Sequence, residues 1–96
     1  MPRSISNVSD FDIQHAIAHL SVERRGEPFS TIDVIRKIIG VYLSDKNTSA
    51  ADSPNALFGK RLSENATTFG INRVPPDVSA KDDAGNPTTT AIWQPV

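Results

Sequence analysis

The sequence predicts a small α+β domain, mainly helical, in which three helices are followed by a β-hairpin. Two observations carry that prediction. Twice a serine is followed three residues later by an aspartate at the head of an apolar stripe, Ser9 with Asp12 and Ser30 with Asp33, the reciprocal arrangement of a capping box. A third stretch opens at Ser53-Pro54 and closes at Gly70, and beyond it the chain turns to short alternating runs separated by Pro, Asp, Gly and Asn. Ninety-six residues leave room for one domain with a modest core.

Residues 1–8 read as a loose lead-in. Helix one is expected over 9–25: Ile13, Ala16, Ile17 and Leu20 form its apolar stripe, with Val8 and Phe11 near the entry, and Gly26 ends it. Arg24 and Arg25 suit the negative pole of its dipole. Gly26-Glu27-Pro28 is a turn, because proline disfavours helix in the residue before it. Helix two is expected over 30–43, with Ser30 as cap, Phe29 and Val34 spaced as a hydrophobic staple, and Ile32, Ile35, Ile38, Ile39 and Tyr42 on one face. Residues 44–52 are small and polar and read as a loop.

Helix three is expected over 54–69. Phe58, Leu62, Ala66 and Phe69 fall at steps of four and three, so they face a core. The other face is slim, polar and mildly basic, built from Asn55, Ala56, Gly59, Lys60, Ser63 and Thr67. An interior glycine costs roughly 1 kcal/mol against alanine in a helix, which suggests that something approaches closely there. The last quarter reads as a two-stranded hairpin, strands 71–74 and 88–93, with 75–87 as a long tip. Such a hairpin is marginal alone and would lean on the helices through Ile92 and Trp93.

Composition narrows the function. There is no cysteine, so disulfides, thiolate chemistry and cysteine zinc sites are excluded. No apolar run approaches the ~20 residues of a membrane span, and the start lacks the apolar segment of a secretory signal, so a cytoplasmic location without membrane contact is the expectation. A formal charge of −1 is low for a nucleic-acid binder. Yet between Ser53 and Val74 the cations Lys60, Arg61 and Arg73 stand against Glu64 alone, whereas beyond Pro75 the acids Asp77, Asp82 and Asp83 outweigh Lys81.

Signals for chemistry are weak. No glycine-rich phosphate loop or nucleophile elbow is present, and Asp82-Asp83 falls in an expected loop tip where two carboxylates are ordinarily just hydrated. No catalytic residue, cofactor or small-molecule substrate is implied. His15 and His19 lie four apart on helix one, with Asp12 and Glu23 on adjoining turns, but two imidazoles without a further ligand make a polar flank more readily than a metal site.

Three helices and a hairpin ending in an aromatic, carried by Phe29-Ser-Thr-Ile-Asp-Val34, Leu57-Phe-Gly-Lys-Arg-Leu62 and Phe69-Gly-Ile-Asn-Arg-Val74, resemble a winged helix-turn-helix domain, similar to small modules of phage and mobile-element proteins. The resemblance covers about Ser9 to Trp93. It implies a non-enzymatic domain that binds double-stranded DNA, a regulator or accessory factor acting as a homodimer or in a larger complex. By position it implies base contacts from Asn55, Gly59, Lys60 and Ser63, with Thr67 at the far end, and phosphate contacts from Arg61 and Arg73. The acidic tip departs from the pattern, since it repels phosphate. The alternative is a protein-binding module of the same shape that uses the acidic stretch Asp77 to Asp83 against a basic partner. Helix one or the aliphatic side of helix two is where self-association is expected.

Overall fold

The computed structural model describes residue 5 and residues 8–43 and 54–96. The expected cap at Ser53 and the loop 44–52 lie outside the described residues. Those that are described form an α+β domain with four helices and a small antiparallel sheet: α1 (Asp10–Glu23), β1 (Phe29–Ser30), α2 (Thr31–Ile39), α3 (Pro54–Glu64), α4 (Ala66–Phe69), β2 (Ile71–Arg73), β3 (Val78–Lys81), β4 (Pro87–Thr90) and β5 (Ile92–Pro95).

Local hydrogen bonds set where the helices start. In α1 the Ser9 hydroxyl accepts from the Asp12 N–H at 3.1 Å and the Ser9 N–H donates to the Asp12 carboxylate at 3.4 Å. Ser30 and Asp33 do the same for α2 at 3.0 and 2.9 Å. The remaining amides of the first turn of α2 find partners across the chain. The Thr31 N–H donates to the Ala91 carbonyl at 3.0 Å, and the Ile32 N–H to the Thr90 hydroxyl at 3.4 Å. The orphan donors of that helix start are thereby satisfied by the C-terminal strands.

Helix ends differ from the sequence expectation. α2 stops at Ile39, not at 43, because Gly40 takes a left-handed conformation (φ 85°) that caps it. Tyr42 joins the core from the segment after that turn. The single helix expected over 54–69 is two: at Asn65 (φ −116°, ψ 20°) the chain leaves helical geometry, and the Asn65 side-chain amide donates to the Arg61 carbonyl at 2.9 Å. A short polar side chain competing for backbone partners explains the break.

One apolar cluster holds these pieces together. Ile13, Ala16, Ile17 and Leu20 of α1 meet Ile32, Val34 and Ile35 of α2, Phe58 and Leu62 of α3, and Phe69, Ile71 and Trp93 beyond them. The lead-in read as loose contributes to it too, since Ile5 and Val8 are buried. Phe11 stands at the helix entry as expected, but its side chain is exposed and stays out of the core. Across the α1–α2 contact Arg24 reaches Asp33 at 3.1 Å and Glu23 pairs with Lys37.

The hairpin is the main correction. Residues 71–74 do not pair with a continuous strand 88–93. The three-stranded sheet has the order β1-β5-β2, with Phe29 and Arg73 both in register with Trp93 and Ile71 opposite Pro95. A separate ladder pairs β3 with β4, Val78 opposite Thr90 and Lys81 opposite Pro87. Between the two ladders four residues, 74–77, oppose two, 91–92. Pro75 and Pro76 have no N–H to donate, so the first ladder cannot run on through them. The result is one bent hairpin whose expected loop tip contains strands of its own.

Its tip is folded in. The Asp82 carboxylate accepts from the N–H groups of Ala84 and Asn86 at 3.0 and 2.8 Å, closing the turn, and Asp82 is only 5% exposed. Asp83 latches the turn to the end of α2. Its N–H donates to the Tyr42 carbonyl at 2.9 Å, its carboxylate accepts from the Tyr42 N–H at 2.8 Å, and Arg36 donates to it at 2.5 and 2.9 Å. No helix among the described residues is long and apolar enough to cross a membrane.

Candidate nucleic-acid interface

Because the bent hairpin is pulled toward α2, it stands opposite α3 with space between them. A groove of about 590 Å³ results. Asn55, Ala56, Gly59, Lys60 and Ser63 form its α3 wall. Thr88, Thr89 and Thr90 of β4, with Arg73 and Asp77, form the facing wall, and Ile32, Ile35, Tyr42 and Trp93 lie at the floor.

Five of the seven residues singled out from sequence sit on or beside this groove. Gly59 is open: no neighbouring side chain or strand among the described residues lies within 4 Å of where a methyl group would be placed. Lys60 extends into solvent, its side chain 71% exposed, with Glu64 one turn on at 3.9 Å. Ser63 is exposed on the same wall. Asn55 is half-buried, and its side-chain amide donates to the Leu43 carbonyl at 2.7 Å, which fixes how that side chain is turned. Arg73 faces the groove from β2 and pairs with Asp77 at 2.5 Å.

Two residues fall elsewhere. Arg61, expected at phosphate, points to the other side of α3, where it donates to the Val8 carbonyl at 2.7 Å and pairs with Asp10 of α1. One residue along a helix turns a side chain by about 100°, so Arg61 and Lys60 cannot share a face. Arg61 therefore fastens α3 to the start of α1. Thr67 is exposed, but it stands on α4 beyond the Asn65 break and does not line the groove.

Sequence reasoning missed the threonine wall. The run Thr88-Thr89-Thr90 read as a strand, but its placement opposite Gly59 depends on the bend at 74–77, whose trace in the sequence is the pair Pro75-Pro76.

The acids of the hairpin are already engaged: Asp77 by Arg73, Asp82 by its own turn, Asp83 by Tyr42 and Arg36. The Tyr42 N–H, and after it the Arg36 guanidinium, hold the Asp83 carboxyl below the usual aspartate range.

A second, smaller cleft of about 370 Å³ lies between α1 and α2, lined by Asp12, His15, Ala16, His19, Lys37 and Ile38. The stripe drawn from Asp12 to Glu23 is broken here, because Glu23 turns to Lys37, whose hydrogen bond lowers the Glu23 pKa. Among the described residues no three His, Asp or Glu side chains are placed to share a metal ion.

No protein family, curated protein or solved structure matches this chain. The functional reading therefore rests on the groove and the surfaces around it.

Proposed function

We propose that the chain is a non-enzymatic double-stranded DNA-binding domain of the winged-helix type, with α3 entering the major groove. The observation that carries this is the slim, polar face of α3 at Asn55, Gly59, Lys60 and Ser63, set across an open groove from Thr88, Thr89 and Arg73. Lysine can pair with guanine and asparagine with adenine at groove edges, while hydroxyls and arginine suit sugar–phosphate oxygens. With α3 in the major groove, the ridge of one DNA strand would occupy the space between α3 and β4. The element order supports the winged-helix type: β1 lies between α1 and α2, and the returning strand β5 sits between β1 and β2. A regulator or accessory factor of the cytoplasm fits this reading.

The cations are few. Lys60 and Arg73 face the groove, each with an acid nearby, so one copy should bind duplex modestly. The acidic-wing alternative has less to offer, since Asp77 and Asp83 already pair with arginines of the same chain.

The test is titration into short duplexes at two salt concentrations. If Lys60 and Arg73 meet phosphate or base edges, the logarithm of affinity should fall with the logarithm of salt at a slope of about −2 per copy. Lys60→Glu should weaken binding several-fold at low salt with unchanged circular dichroism. Binding indifferent to that substitution, or none near ~50 mM salt where counterion release is strongest, would remove α3 from the interface.

A further inference from the structure

α1 carries apolar side chains on two faces. Ile13, Ala16, Ile17 and Leu20 are in the core. On the opposite side Phe11, His15, Ala18 and Val22 follow at steps of four, three and four, the spacing of a coiled-coil seam. All four are exposed, Phe11 at 72% and Val22 at 78%. A scattered exposed apolar residue needs no explanation. Here the rings line up: Phe11 stacks on His15 at 6.1 Å and His15 contacts His19 at 4.4 Å, and Val22 continues the line to the last turn. A continuous ridge along a whole helix is the form an interface takes.

We propose that this ridge pairs with the same ridge of a second copy, the two α1 helices running antiparallel. The residue pattern is self-complementary only in that direction. A two-fold axis at the middle of the seam sets Phe11 against Val22 of the second copy and His15 against Ala18, larger against smaller at each level. The flanks agree. Asp12 and His19 are seven apart and so lie on one edge of the seam, and antiparallel pairing brings the carboxylate of one copy to the imidazole of the other. Parallel pairing would set Phe11 on Phe11 and His15 on His15, crowding the rings, and would put Asp12 of one copy on the opposite edge of the seam from His19 of the other. The helix dipoles also favour antiparallel neighbours. Fourteen residues span about 21 Å, so the contact is at the small end of interface sizes and the dimer exchanges with monomer. This pairing stands whatever α3 meets.

The absence of cysteine makes the test direct. Phe11→Cys and Val22→Cys are prepared separately, then oxidised alone and as an equimolar mixture, with Val96→Cys, at an 87% exposed terminal residue, as the collision control. The mixture should cross-link between unlike chains well above the control, and neither variant should do so alone. Two copies of position 11 in the antiparallel pair are about 16 Å apart along the axis, beyond a disulfide's ~7 Å limit between Cα atoms. A Phe11→Cys homodimer forming as readily as the mixed species overturns the antiparallel pairing, and a mixture no better than the control overturns the interface. Sedimentation from about 10 μM to about 1 mM, a range that brackets weak association, supplies the second measurement. The parent chain should shift toward dimer while Val22→Lys stays monomeric with unchanged circular dichroism. A parent that remains monomeric throughout, or a Val22→Lys variant that dimerises as well as the parent, also overturns the proposal.

Discussion

Trp93 is the largest side chain that the core encloses, 1% exposed, and its position in the sheet puts it opposite both Phe29 and Arg73. Burying an indole brings a donor out of water, and that donor must be matched. It is matched by Thr31: the Trp93 ring N–H donates to the Thr31 hydroxyl oxygen at 2.8 Å, joining residues 62 apart in sequence. Thr31 is itself buried at the first position of α2, so one hydroxyl ties the C-terminal strand to the helix that begins beside it. Thr31→Val keeps the shape and removes the acceptor, leaving the indole N–H unpaired, and should cost about 1–3 kcal/mol. Thr31→Ser keeps the hydroxyl and should cost clearly less. Urea unfolding followed by the fluorescence of the single tryptophan measures both; a larger loss for Thr31→Ser than for Thr31→Val would show that the methyl group, not the hydrogen bond, matters.

Among the elements, helix starts obey short-range chemistry. Ser30 and Asp33 are three residues apart and each side chain bonds to the other's backbone, so Ser30→Ala should cost about 1 kcal/mol of stability, read as a shift in the urea midpoint. The same locality is why both capping boxes were legible from the chain alone. Whatever depends on distant residues was not. The threonine run was readable as strand, but its partner is Val78–Lys81, a short alternation set among turn formers, and the choice between that and Ile71–Arg73 is made by the bulge at 74–77. The Asn65 break was hidden because an asparagine inside an otherwise helical pattern shows its competing hydrogen bond only in the folded state. At the groove, Gly59, Lys60 and Ser63 were found by helical spacing, while Arg61, assigned to phosphate through the winged-helix resemblance, belongs to the α1 contact. Gly59 separates stability from binding. Alanine there meets no obstruction and should stabilise α3 by roughly 0.5–1 kcal/mol, yet its methyl enters the groove and should lower duplex affinity. Unfolding and DNA titration on one Gly59→Ala preparation measure the two; tighter binding with higher stability would show that no close approach occurs at that glycine.

For the molecule as a whole, the shape of the groove depends on a latch between the hairpin tip and the segment that ends α2. The hairpin bends at 74–77 and is held at its tip by Asp83, which joins Tyr42 and Arg36 at the end of α2. The Tyr42 N–H, with Arg36 as a second donor, favours the charged carboxylate and lowers its pKa in the folded state. A depressed folded pKa means that the unfolded chain binds the proton more readily as pH falls. The stabilisation is therefore fully present above the unfolded value of ~3.9 and is lost as pH drops from there through the folded value. Asp83→Asn removes the charge at every pH. The urea midpoint of the parent should exceed that of Asp83→Asn by a constant margin above about pH 5, and the two should converge as pH falls below ~3.9. Glu23, lowered by Lys37 in the same direction, is present in both proteins and cancels from the comparison. A margin that stays constant down to low pH would mean that the carboxylate charge contributes nothing to the latch, and that the backbone bond from Asp83 N–H to the Tyr42 carbonyl holds the hairpin against α2 without it.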